Sequence, residues 1–182
     1  MVWKANPAVA LNETLAGFTS GAGANFLTID PNGATNLPMV TLGAVTATSA
    51  GMSLLVTAPA STVLRLGTAY TAVSGSAPRG KIVFTLGDGN IDFIKNGGAT
   101  TASAAFTDYA LNPGSPSGTD TLTPWITQDF NVGGNWTTDK MKIQPSGASQ
   151  SLTIGAGNTL SLTSGGFIFQ SNDAYTITGG SI

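Results

Sequence analysis

The 182-residue sequence has no cysteine and no histidine, and only 7 Lys or Arg and 9 Asp or Glu side chains carry charge. Without His or Cys, Ser-His-Asp and Cys-His nucleophile systems are excluded, as are zinc sites of the usual ligand sets. A net charge of −2 with scattered basic residues excludes a phosphate-neutralising face, so no nucleic-acid partner is expected. No apolar run approaches the roughly 18 residues that read as a membrane-spanning helix. Met1–Pro7 lacks the continuous apolar stretch of a secretory leader. Glu and Lys are too few for a coiled coil or a long solvated helix. Charged residues make up 9 % of the chain, whereas hydrophobic residues reach 41 %, which is the opposite of a disordered composition.

Small residues take the place of charge. The chain holds 24 Gly, 26 Thr, 16 Ser and 12 Asn. From Lys140 onward it reads as five short alternating segments, with apolar pairs Met141/Ile143, Leu152/Ile154, Leu160/Leu162, Phe167/Phe169 and Tyr175/Ile177. A period of two places each pair on one face of a strand, and Gly, Ser, Asn and Asp between the segments supply the corners. Phe167-Ile168-Phe169 alone is ambiguous, being apolar throughout. The same grammar predicts strands at Asn25–Asp30, Met39–Thr48, Ser53–Ala58, Thr62–Gly67, Ala69–Ser74, Lys81–Gly87 and Asn90–Lys95. Ala99–Leu111 comes nearest to a helical pattern, but its Thr and Ser suit a loop or strand equally. Asn112–Thr119 is loop-like and marks a candidate boundary between two sub-blocks of a single all-β unit, residues 1–182, or of a segment of a longer chain.

Evenly spaced short strands suit a parallel β-helix, or solenoid, with a β-sandwich as the alternative. Strand spacing near eight residues predicts a three-sided coil of about 24 residues, which favours the solenoid. The hairpin dipeptides Asn-Gly and Asp-Gly occur only at Asn32-Gly33, Asp88-Gly89 and Asn96-Gly97, which also favours stacked parallel coils.

Gly157–Ile182 (GNTLSLTSGGFIFQSNDAYTITGGSI) resembles the autotransporter-associated β-strand repeat of large bacterial surface and secreted proteins. Ala105–Pro113 and Thr123–Trp136 look like the linking segment that precedes such repeats. The resemblance implies a right-handed parallel β-helix exported to the cell surface or exterior, serving as stalk, adhesin or passenger. Ile182 falls in mid-pattern without a polar cap, so a segment or an assembly subunit covered by a neighbour is expected.

Few residues suggest chemistry. Asp88, Asn90 and Asp92 have the D-x-N-x-D spacing of the first oxygen ligands of a calcium loop, but Phe93 stands where such a loop needs Gly and no Glu follows at the twelfth position. A hairpin turn explains the same residues. Trp125, Trp136 and Tyr109 are candidates for stacking on sugar rings, against the plainer reading that large aromatics line the core. Thr does not form a regular ladder of the kind a flat crystal-binding face needs. The expected function is therefore non-enzymatic and cofactor-free: a structural or adhesive solenoid segment of a bacterial cell-surface or extracellular protein. Its expected partners are copies of itself or adjoining repeats, with head-to-tail assembly. The alternative is a module that binds or cleaves polysaccharide.

Overall fold

The computed structural model describes residues 1–8, 12–20, 22–34, 39–47, 52–59, 64–66, 82–85, 89–95, 104–114 and 116–182. Among these every regular element is a β-strand and none is a helix. The strand expected at Ala69–Ser74 lies outside the described residues. The strands form parallel sheets built from stacked coils, a β-solenoid of about five turns. The chain divides into two compact units, Met1–Phe106 and Thr107–Ile182.

In the first unit the chain alternates between two sheets. Strands β1 (Val2–Lys4), β3 (Gly23–Asp30), β5 (Met52–Thr57) and β7 (Ile82–Thr85) pair in parallel in one sheet. Strands β2 (Asn12–Ser20), β4 (Met39–Ala47) and β6 (Leu64–Leu66) pair in parallel in the other. Each coil gives one strand to each sheet. Val2 pairs with Thr28, Asn12 with Met39, Gly23 with Met52, Val40 with Leu64 and Leu54 with Ile82, so the repeat varies between 24 and 29 residues without a trend along the unit. Alternation then stacks like on like: Leu27, Ile29, Val40, Leu42, Leu54 and Val56 form the buried interior, with Trp3 and Leu15 partly buried against it.

The corners use local chemistry. Asn32 and Gly33 both have positive φ (50° and 77°), and the Ala34 N–H donates to the Pro31 carbonyl at 2.8 Å. This is the primed turn that Asn-Gly favours, but here it leads from one sheet to the other rather than closing a hairpin. An antiparallel pairing appears between β7 and the strand that follows it. Strand β8 (Ile91–Lys95) runs antiparallel to β7, and β9 (Ala104–Ala105) runs antiparallel to β8, so the first unit ends in a short antiparallel extension. Uniformly parallel stacking therefore stops at β7.

The second unit has three faces. Strands β10 (Ala110–Leu111), β12 (Pro124–Ile126), the end of β14 (Trp136–Ile143) and the end of β15 (Gln150–Phe169) make one face. Strand β11 (Gly118–Thr119), the start of β14 and the middle of β15 make a second. Strand β13 (Phe130–Val132), the start of β15 and β16 (Tyr175–Ser181) make the third. From β12 the chain visits the faces in a fixed order, and all of these pairs are parallel. In the last coil Trp136 pairs with Leu160, Met141 with Phe167 and Leu152 with Ile177, close to the expected coil length, whereas the earlier coils are shorter, Gly118 pairing with Trp136 and Trp125 with Lys142. The loop-like Asn112–Thr119 lies inside this unit, with β11 at its end.

Register explains the predicted apolar pairs. Met141, Ile143, Leu152, Ile154 and Leu160 are buried in one cluster with Ile126, Phe130, Val132 and Trp136. Ambiguity at Phe167-Ile168-Phe169 resolves through stacking: Phe167 and Phe169 sit over Met141 and Ile143, and Ile168 sits over Lys142. At Gly179 the last strand crosses so close to Ile154 that a Cβ would collide with its carbonyl oxygen, and φ is +96°. A Cβ at Gly180 would meet the Asn158 carbonyl in the same way. The Gly-Gly of the repeat-like segment is thus a requirement of close coil-on-coil approach.

Candidate functional site

Acidic side chains in both units are engaged in turns and links between coils. The Asp129 carboxylate accepts from the backbone N–H and the hydroxyl of Ser151, 22 residues on. Asp120 accepts from the Leu122 N–H at 3.0 Å and from the Trp136 indole at 2.6 Å. Asp30 accepts from the Asn32 N–H at 2.8 Å and lies 3.7 Å from Lys4 Nζ. Asn112 and Thr127 exchange two hydrogen bonds of 2.8 Å, and Asn135 accepts from the Thr159 N–H. These residues fasten one coil to the next at the corners, where backbone groups would otherwise lack partners.

Of the calcium candidates, Asp88 lies outside the described residues. Asn90 follows Gly89 (φ +81°) between β7 and β8, and Asp92 sits in β8 opposite Phe84. Among the described residues no three His, Cys, Asp or Glu side chains gather as a metal site. Nor is any helix there long and apolar enough to cross a membrane.

The three aromatic candidates separate. Trp136 is fully buried and presents no face to solvent, because its register position points into the second core. Trp125 and Tyr109 do meet, with ring centroids 5.7 Å apart, but the ammonium of Lys142 lies over both, at 5.2 and 5.6 Å. This cation–π arrangement helps to hold a lysine that is only 3 % exposed. The rings within reach of each other thus serve Lys142.

Exposed apolar side chains occur in both units, among them Val2, Phe26, Leu111 and Leu122, and three lie on the last coil of the second unit. Phe167, Phe169 and Ile177 are 38, 44 and 39 % exposed although they stack on the buried Met141, Ile143 and Leu152. Phe169 lies against Tyr175, their centroids 5.8 Å apart. The Tyr175 hydroxyl is buried with no hydrogen-bond partner among the described residues. Burial, and secondarily the charge of Asp129, pushes its pKa up to about 12. Beside Phe169 the chain turns through Gln170–Asp173 and, with Gln144 and Pro145 of the coil below, encloses an open hollow of about 410 Å³. Sequence pattern pairs Phe167 with Phe169 on one face but leaves their segment ambiguous, since Ile168 between them is apolar too. Their exposure depends on being in the last coil, which composition and alternation do not express.

No protein-family model, curated protein or solved structure matches the chain.

Proposed function

We propose that this chain is a structural and adhesive β-solenoid segment of a bacterial cell-surface or extracellular protein that grows by head-to-tail addition of like coils. One observation carries the reading: interior-register side chains Phe167, Phe169 and Ile177 stand exposed on the last coil of a parallel stack. Apolar side chains at such positions favour a further coil laid in register, and the strand edge beside them offers unpaired backbone groups for it. Coil size agrees. The step from Met141 to Phe167 in the second unit equals the step from Val2 to Thr28 in the first. The earlier step of the second unit from Trp125 to Lys142 is much shorter and has no counterpart there. The resemblance of Gly157–Ile182 to the autotransporter-associated repeat supports an exported setting.

Sedimentation velocity across a concentration series, with negative-stain microscopy, tests the assembly. Linear oligomers that grow with concentration are expected, and Phe167→Glu should abolish them by placing a charge at the joint. A chain that stays monomeric at high concentration and forms no filaments overturns the reading.

A further inference from the structure

We propose that the hollow at the corner between β15 and β16 is a binding site for a neutral oligosaccharide. It shares Phe169 with the coil-on-coil joint proposed above, so it is open only on a terminal coil that no further coil covers, and it does not depend on that growth. Its lining pairs one apolar ring with amide, hydroxyl and carboxylate groups: Phe169 stands beside Gln144, Gln170, Asn172 and Asp173. A volume of about 410 Å³ falls within the roughly 300–1,000 Å³ typical of small-ligand sites.

The ring of Phe169 is 44 % exposed yet fixed on one side by Tyr175 at 5.8 Å, tilted by 53°. A supported aromatic face is electron-rich and apolar, and it suits the flat C–H face of a pyranose. Around it, the side chains of Gln144, Asn172 and Asp173 have no hydrogen-bond partner among the described residues. Each amide offers donors and an acceptor, and the carboxylate offers two acceptor oxygens, a set that matches neighbouring sugar hydroxyls.

Charge narrows the ligand further. Among the described residues no Lys or Arg lines the hollow, and the one ionisable group there is the carboxylate of Asp173. Phosphate, sulfate and uronate groups would meet repulsion without compensation, so the ligand is neutral.

The walls are held before any ligand arrives. Ser171 and Asp173 exchange hydrogen bonds of 2.9 Å across the turn, and the Gln170 N–H donates to the Ile143 carbonyl at 2.9 Å. On the opposite lip the Ser146 hydroxyl donates to the Thr127 carbonyl at 2.8 Å, and the Ser146 N–H donates to the Gln150 side chain at 3.1 Å. Ile143 and Phe169 are stacked partners, so the residues that follow them, Gln144 and Gln170, occupy the same corner one coil apart.

Isothermal titration of the full chain with three neutral hexasaccharides tests the site: β-1,4-linked glucose, β-1,4-linked N-acetylglucosamine and α-1,4-linked glucose. Hexagalacturonate serves as the acidic comparator. At least one neutral ligand should bind with a dissociation constant of about 1 mM or tighter, and the acidic one should bind more weakly. Asn172→Ala with Asp173→Ala, both on the surface, should weaken binding about tenfold or more while circular dichroism and melting stay unchanged. Phe169→Leu should weaken it in the same direction, and Tyr109→Phe should leave it as it is. If no neutral ligand binds up to about 10 mM, the acidic one binds best, or the Asn172/Asp173 variant binds as the parent does, the proposal falls. Phe167→Glu, which blocks assembly but lies outside the hollow, should retain sugar binding, so the two proposals fail separately.

Discussion

The indole Nε1–H of Trp136 donates to Oδ2 of Asp120 at 2.6 Å, across a separation of 16 residues. One coil thereby supplies the acceptor for the largest fully buried side chain of the next. Trp136→Phe keeps most of the apolar volume and strands no buried donor, so its cost is mainly the charge-assisted bond, about 1.5–3 kcal/mol. Trp136→Ala adds a cavity and should cost about 3–5 kcal/mol. Urea denaturation followed by circular dichroism measures both. Equal costs for the two variants would mean that packing around the ring contributes little.

Gly179→Ala should destabilise the second unit by more than about 1 kcal/mol, because the methyl group meets the Ile154 carbonyl and the backbone is left-handed there. Gly133→Ala is the control, with open space around the position. It should stay within about 0.5 kcal/mol of the parent. Thermal melts of the two variants side by side decide the point.

Tyr175 gives the molecule a specific alkaline response. Its folded pKa of about 12 lies above the ordinary 10.0, because burial disfavours the phenolate and Asp129 adds repulsion. Below pH 10 the phenol is neutral in both states and stability is unaffected. Between pH 10 and about 12 the unfolded chain loses the proton first, so stability falls as pH rises. Tyr175→Phe should remove this part of the fall. At neutral pH it should be neutral or slightly stabilising, since it deletes a buried hydroxyl with no partner among the described residues. Ultraviolet titration of phenolate, compared between parent and variant, should show the late-titrating tyrosine disappear.

Lys140 is 1 % exposed and its ammonium lies 2.7 Å from the Asp139 carboxylate, at the irregularity that separates the two halves of β14. Asp139→Asn removes the charge opposite a buried cation and should cost about 1.5–3 kcal/mol. Lys140→Met with Asp139→Asn should recover part of that loss, because no buried ammonium then remains at position 140. A double-mutant cycle in urea measures the coupling, and strictly additive costs would count against it.

The three-sided coil is legible in the sequence wherever each coil carries apolar pairs at the same face positions. Leu152 and Ile177 show how far this reaches. A coil of about 24 residues points from Leu152 to the segment that holds Tyr175 and Ile177, and the structure pairs Leu152 with Ile177. Lys140 and Lys142 illustrate the limit. Their alternation marks them as outward and solvated, yet both are buried, one ion-paired to Asp139 and one with its ammonium over the rings of Tyr109 and Trp125. The antiparallel β7–β8 turn is signalled by Asp88-Gly89, a cue shared with Asn32-Gly33, which turns a solenoid corner instead. The proposed sugar site is not legible at all. Its members come from two coils, and only stacking brings Gln144 beside Asn172 and Asp173.

Coil length in the second unit is uneven: the step from Lys142 to Ile168 is far longer than the step from Trp125 to Lys142, while these three stay in one column. The extra residues are absorbed outside the paired positions. A peptide tag spliced among 145–149 should therefore leave the ladder intact, whereas one inserted within 151–154 would throw every later rung out of phase. Decoration of such a molecule is confined to its bends, and its straight runs set the ruler.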